Sequence, residues 1–457
     1  MNTTTTATET RVQILGGIEV IGGSVVLVST PNARVILDFG MRDLNTGLLQ
    51  TPGGPRRGHE LVDLLRAAEL PVSPGLYDPA QLASDPQLAA STRANRDARP
   101  TAVFLSHAHI DHEGALGFLD PSLPLYASEE TTVMLNALRD TGEYRPGHPL
   151  APIAVDTGET IRVGDLTVEL IPVDHDIPGA CGVLVTAPDG SVVYTGDLNF
   201  HRDGGMRSHA FAERIRGVDL LVTETTMLSF DHPPITTRSE AEIEEILAAE
   251  LTGVPGLVLM SAYPRDAERA QRLIALARTH GRELVWPSRD AALLAAMGVS
   301  DVTSWASERA ESDSRPLAAG INRVTVAAVA AEPGHYLVQP DGHDAPALAD
   351  LPIVSGSTVW VHSQGEPLGP FMPDWEVFQL WLQKLGIAVI EAGSTGHALG
   401  HDLLAFVEHV APGCVLPIHG KRPEALTVSM PRVLPRYGDV YLLDGTVVGH
   451  ELVSVAS

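Results

Sequence analysis

The stretch Phe104-Leu105-Ser106-His107-Ala108-His109-Ile110-Asp111-His112-Glu113-Gly114 constrains this chain more than any other. Three histidines and an aspartate stand within six residues. Imidazole and carboxylate are the ligands that borderline divalent metals prefer. Close spacing lets one loop supply several of them at little entropic cost. An apolar run at 101–105 leads in and reads as a short buried strand. Gly114 follows, then a helix-like pattern at 115–119. That order puts the loop at the carboxyl end of a strand, where a parallel sheet opens its site.

A chain of 457 residues exceeds the usual size of one domain, so two are expected. The net charge of −26 excludes a bulk basic surface for nucleic acid, so such a ligand would need a local basic groove. Cys181 and Cys414 stand in apolar contexts. They offer neither a disulfide framework nor a cysteine zinc motif, and read as buried packing residues. The first residues lack a basic start and an apolar core, so no signal peptide is expected. No uncharged apolar run reaches transmembrane length, and the expected location is the cytoplasm.

Strands are expected at 12–15, 24–29 and 34–38, separated by glycine pairs that signal turns. Residues 42–100 are rich in Pro, Gly and Arg and carry no sustained periodicity beyond a helix at 59–69. They read as a solvated excursion. The alternative is a lid or substrate arm that uses Arg56, Arg57, Arg93, Arg96 and Arg99 as a positive path to the site. Beyond residue 238, strands and helices alternate, which argues a second, α/β domain. A strand is expected there at 324–330.

The string His107-x-His109-x-Asp111-His112 resembles the signature of the metallo-β-lactamase superfamily. Asp38 in Leu37-Asp38-Phe39-Gly40 resembles the aspartate of that family's first strand pair. His175, after the strand ending at Pro172, resembles the next ligand, and Asp197 in Thr195-Gly196-Asp197-Leu198 the bridging aspartate. Glu224-Thr225-Thr226, Gly396-His397 and Ile418-His419-Gly420 resemble the β-CASP branch of nucleic-acid-processing enzymes. Ser363-Gln364-Gly365-Glu366-Pro367 resembles a motif of its Ribonuclease J group. That group carries an additional C-terminal domain, for which this chain has no room. The resemblance implies an α/β fold: a metallo-β-lactamase αββα sandwich interrupted by a β-CASP α/β domain. Residues 1–225 and 389–457 would form the sandwich, and 226–388 the insertion.

On that resemblance His107, His109 and His175 hold one metal, Asp111, His112 and His419 the other, and Asp197 bridges. The expected cofactors are two divalent ions, Zn2+ for a histidine-rich shell with Mn2+ as the alternative. His397, Glu224 and Asp111 are the expected catalytic residues. The implied reaction is phosphodiester hydrolysis, in RNA or another single-stranded nucleic acid, by a two-metal-activated hydroxide. His397 would assist the leaving group, with Glu224 setting its orientation or protonation. Two other readings stay open: a hydrolase of a small ester, lactone or phosphodiester, and a nuclease-like protein that binds without cutting. No membrane partner is expected. Oligomeric state, homo-oligomers included, stays open.

Overall fold

The computed structural model describes residues 9–42, 48–49, 54–73, 75–93, 97–143, 146–232, 237–306, 320–342, 345–369, 372 and 374–451. The first sheet is built from β1 (Arg11–Gly16), β2 (Val25–Ser29), β3 (Arg34–Leu37), β4 (Thr101–Phe104), β5 (Leu125–Ser128) and β6 (Ile153–Val155). The second holds β7 (Thr160–Val163), β8 (Leu166–Pro172), β9 (Cys181–Ala187), β10 (Gly190–Tyr194) and β11 (Leu220–Glu224). Alternation decides how they pack. Val12, Ile14, Val26, Val28, Val35 and Leu37 of the first sheet meet Val168, Leu170, Val183 and Val185 of the second in one buried cluster. Each such side chain contributes roughly 1.5–3 kcal/mol by leaving water. Helices Glu129–Asp140, Met206–Arg214 and Gly400–Val410 cover the outer faces with Leu135, Phe211 and Phe406. The result is an αββα sandwich.

The third sheet is parallel throughout, in the order β15-β14-β13-β16-β12-β17-β18. Its strands are β12 (Val258–Ala262), β13 (Glu283–Pro287), β14 (Thr303–Ala306), β15 (Asn322–Thr325), β16 (Tyr336–Val338), β17 (Val359–Ser363) and β18 (Ala388–Glu391). Separate apolar clusters fill its two faces. The chain then returns to the sandwich. β19 (Cys414–Ile418) pairs with β11, and β20 (Asp439–Tyr441) and β21 (Val447–His450) extend the first sheet beside β1. At one edge of the third sheet, β18 pairs in register with β17 through Glu391.

Three local expectations are corrected. Residues 326–331 are helical rather than extended, and only Asn322–Thr325 is strand. The Thr325 hydroxyl caps the Ala328 amide, and four alanines in six residues favour helix. The helix expected at 115–119 starts earlier, at Ile110–Glu113, so Asp111 and His112 lie on a helical turn; Leu116–Phe118 is a 3-10 turn. The described part of 42–100 is packed rather than solvated: Leu61, Leu64, Leu65, Leu70, Leu76, Leu82 and Leu88 all enter the main core. Its arginines are partly committed as well. Arg56 pairs with Asp63 at 2.6 Å, and Arg99 pairs with Asp97. The Arg93 side chain and Arg96 lie outside the described residues. Cys181 and Cys414 are free and buried, as expected.

Candidate metal centre

Every candidate ligand, and Asp38 beside them, sits just past the carboxyl end of a strand. Asp38 follows β3, His107 to His112 follow β4, His175 follows β8, Asp197 follows β10 and His419 follows β19. The two sheets therefore aim their strand ends at one place, where open α/β sheets collect ligands.

Hydrogen bonding fixes the direction of each ring. Asp38 is fully buried at φ 59° and accepts from the Ser106 amide and hydroxyl, each at 2.7 Å, and from Tyr194 Oη at 2.8 Å. Its Oδ2 also lies 2.7 Å from His112 Nδ1, which donates to it. Ser106 gives its one hydroxyl proton to Asp38. It must therefore accept from His107 Nδ1, at 2.9 Å. His175 Nδ1 donates to the Gly396 carbonyl at 2.7 Å. The Thr226 hydroxyl donates to the His419 carbonyl and accepts from His419 Nδ1 at 2.8 Å. All four rings thus carry hydrogen on Nδ1 and turn Nε2 inward, the outer-shell pattern of metal-binding histidines.

The inward atoms converge. His107, His109, His175 and Asp197 form one set with ligand atoms within 4.8 Å of one another; Asp111, His112 and His419 form a second on the same criterion. Asp197 lies between the sets. Its Oδ2 is 3.2 Å from His112 Nε2, 3.7 Å from His107 Nε2 and 3.8 Å from His175 Nε2, and its Oδ1 is 3.9 Å from His419 Nε2. Asp111 Oδ2 is 3.0 Å from His419 Nε2.

The residues fit divalent ions. His112 Nε2 and His419 Nε2 face each other at 3.3 Å, and His175 Nε2 and His109 Nδ1 at 3.2 Å. Two nitrogens about 2.0–2.1 Å from one tetrahedral ion are necessarily about 3.3 Å apart. His107 Nε2 and Asp197 Oδ1 are buried with no hydrogen-bond partner. Orphaned polar atoms at this depth are costly, and a cation answers both. The field shows the same demand. Burial pushes His107 well below the usual imidazole range and His109 down to about 3, so both stay neutral ligands. At His112 and His419 burial also opposes charge, but Asp197 and Asp111 outweigh it and raise both pKa values.

His397 belongs to neither set. Its Nδ1 is 3.1 Å from Glu224 Oε2 and 3.7 Å from Asp197 Oδ2. Glu224 is buried, and its Oε1 also accepts from the Leu198 amide at 2.7 Å, beside Asp197. The loop that carries His397 is pinned. Asn199 Nδ2 reaches the Thr395 and Gly396 carbonyls at 3.1 and 3.0 Å, and Arg238 Nη1 reaches the Gly393 carbonyl at 3.0 Å. The loop that follows β12 also touches the metal loop, since Arg265 Nη1 donates to the Ala108 carbonyl at 3.1 Å.

The seven expected ligands, His397 and Glu224 are therefore all brought together. Sequence reasoning gave no role to Ser106, Tyr194 and Asn199, which carry no pattern of their own, nor to Thr226, although it quoted the string containing it. It also missed Gly40, although it quoted the string containing it. A Cβ on Gly40 would lie 1.7 Å from the Asp111 carbonyl oxygen and 2.8 Å from the His112 amide. Gly40→Ala is expected to displace the helical turn holding both ligands and weaken metal retention by on the order of 10-fold or more. Metal content per chain after graded chelator dialysis checks this.

Several known proteins are similar to this chain. Residues 74–260 match the family model described as the β-lactamase superfamily domain. Ribonuclease J of Pyrococcus abyssi is 23% identical over 464 residues, covering 97% of this chain and 94% of that protein. Ribonuclease J of Mycolicibacterium smegmatis is 26% identical over 338 residues, covering 70% of this chain and 58% of its own length. A crystal structure of a protein of unknown function from Enterococcus faecalis superposes with a TM-score of 0.81 at 29% identity, covering 95% of this chain and 100% of that one. Strand order and converging ligands agree with these relatives: the chain has the αββα fold of the metallo-β-lactamase superfamily and is similar in sequence to proteins named Ribonuclease J.

Proposed function

We propose that the chain hydrolyses phosphodiester bonds in RNA, with two divalent ions and His397 as the group that assists the leaving oxygen. The observation that carries this is the position of Asp197, a member of the first ligand set whose oxygens lie 3.2 Å from His112 Nε2 and 3.9 Å from His419 Nε2 of the second, with the Glu224–His397 pair beside it. Bound ions would supply charge stabilisation at the phosphate and a water acidic enough to attack at neutral pH. The chain's own residues do the rest. Asp38, Ser106, Thr226 and the Gly396 carbonyl hold the ligand rings in the tautomer that binds cations. Glu224 holds His397 by Nδ1, leaving Nε2 for the leaving oxygen. Burial works against charge on His397, but Glu224, Asp197 and Asp176 outweigh it and lift its pKa to about 10, which favours the proton-donating form.

RNA is the substrate that the relatives named Ribonuclease J bring to this reading. We further propose that residues 226–388 are the inserted domain and that substrate enters between it and the sandwich, since Arg265 and His397 reach the site from that side. A second reading, hydrolysis of a small ester, lactone or phosphodiester, is favoured by the net charge of −26 and by the pairing of Arg56 and Arg99 with nearby acids. One experiment separates them. Purified protein is incubated with end-labelled RNA, single-stranded DNA and a chromogenic phosphodiester, with and without a chelator. Chelator-sensitive RNA fragments are expected. Intact RNA beside a cleaved small ester would transfer the assignment to the second reading.

A further inference from the structure

Asp176 follows His175 directly and sits on the rim of the first ligand set. Its Oδ1 is 3.3 Å from His175 Nε2 and 3.7 Å from His109 Nε2. Because His175 Nδ1 spends its hydrogen on the Gly396 carbonyl, His175 Nε2 presents a lone pair. A carboxylate oxygen and an imidazole lone pair then face each other with no proton between them. Oδ1 is buried and has no hydrogen-bond partner. The other carboxylates here are accounted for differently. Asp38 accepts four hydrogen bonds, Glu224 is held by the Leu198 amide and His397, and Asp174 accepts from the Ser208 amide at 2.9 Å. Asp197 Oδ1, between the two sets, is left bare in the same way. Such an oxygen is costly to bury without a donor or a cation. The main chain is shaped around this group: a Cβ on Gly396 would come within 2.3 Å of Asp176 Oδ2.

From this we infer that Asp176 is an additional ligand of the cation held by His107, His109 and His175. The inference rests on the metal-centre reading above and deepens it. Asp176 stands outside the set whose ligand atoms all lie within 4.8 Å of one another, so it would reach the cation by turning about its side-chain torsions, and the cation would then meet three nitrogens and two carboxylates. This set exceeds the four-coordinate preference of structural zinc and suits a harder ion of higher coordination number, such as Mn2+.

The test compares metal-free wild type, Asp176→Asn and Asp176→Ser, each titrated separately with Mn2+ and Zn2+ by calorimetry and checked by elemental analysis. Circular dichroism melts of the metal-free forms establish folding. Wild type is expected to bind two ions. Both variants are expected to keep the fold and to bind Mn2+ at one of the two sites on the order of 10–100-fold more weakly, with a smaller loss for Zn2+. Folded variants that bind both ions with wild-type affinity would overturn the assignment of Asp176 while leaving the centre intact. Wild type that binds no ion at all would instead overturn the metal-centre reading. If Asp176→Asn does not fold, the smaller Asp176→Ser carries the same comparison. Failure of both to fold without metal would overturn the inference, because it would make Asp176 a structural residue.

Discussion

Asp197→Asn is expected to lose metal and activity together. Asp197 is buried, and its two oxygens face ligand nitrogens of both sets, from His107 Nε2 to His419 Nε2. The amide keeps the shape but removes the negative charge and turns an NH2 group toward inward lone pairs. Outer-shell partners of metal ligands are worth about 10–100-fold in affinity, so a shared ligand should be worth on the order of 10²-fold or more. The readout need not be catalytic. A ligand at 100 times its Kd stabilises the folded state by about 2.7 kcal/mol. For a protein with domains of this size that is a rise of roughly 5–10 °C in Tm. Wild type should show such a rise when metal is added to the metal-free form, and Asp197→Asn should not. A variant that melts with the same metal-induced shift as wild type would remove Asp197 from the site.

The ligand set was legible because each member has a strong local context. His107 to His112 form a dense string behind an apolar strand, and His175, Asp197 and His419 each close an apolar run. Strand ends in a sandwich converge, so residues far apart in sequence could be grouped by the family pattern alone. The rest is less visible for identifiable reasons. Ser106, Tyr194 and Thr226 act through a few hydrogen bonds each, with partners up to 193 residues away, and no periodicity marks such contacts. Asp176 reads as one more polar residue in a strand-end turn, and only the inward lone pair of His175 makes its position unusual.

Residues 42–100 show the limit of pattern reading from the opposite side. Leu70, Leu76, Leu82 and Leu88 recur every six residues, which fits neither the strand period of 2 nor the helix period of 3.6. All four are nonetheless buried in the core shared with the outer helices. An irregular segment can bury apolar residues wherever its turns present them, so absence of periodicity does not imply exposure. The helix at Val326–Ala331 fails for another reason. Its two valines suggested a strand, but a capped run of alanines beside them decided the local structure. In both cases packing and capping, which act between neighbours, overrode the pattern of a single segment.

The remaining large effect concerns His397, which is expected to act in the chemical step without holding metal. Its ring lies outside both ligand sets, with Nδ1 committed to Glu224 at 3.1 Å. A histidine held by one nitrogen and fixed on a pinned loop presents its other nitrogen in a constant direction, which is what proton donation to a leaving oxygen requires. His397→Ala should therefore keep two ions per chain and near wild-type affinity for RNA, and lose on the order of 10²–10⁴-fold in single-turnover rate. Glu224→Gln should lose less, since the amide oxygen still accepts from the Leu198 amide or the ring, but it no longer favours the charged imidazole. A substrate whose leaving group needs no proton, such as a nitrophenyl ester of a nucleotide, should recover most of the rate lost by His397→Ala and none of the rate lost by Asp197→Asn. That rescue separates proton donation from metal binding. If His397→Ala loses an ion, or cuts RNA within a few-fold of wild type, the ring has a different task. If it is equally slow on both substrates, the ring positions the phosphate rather than protonating the leaving oxygen.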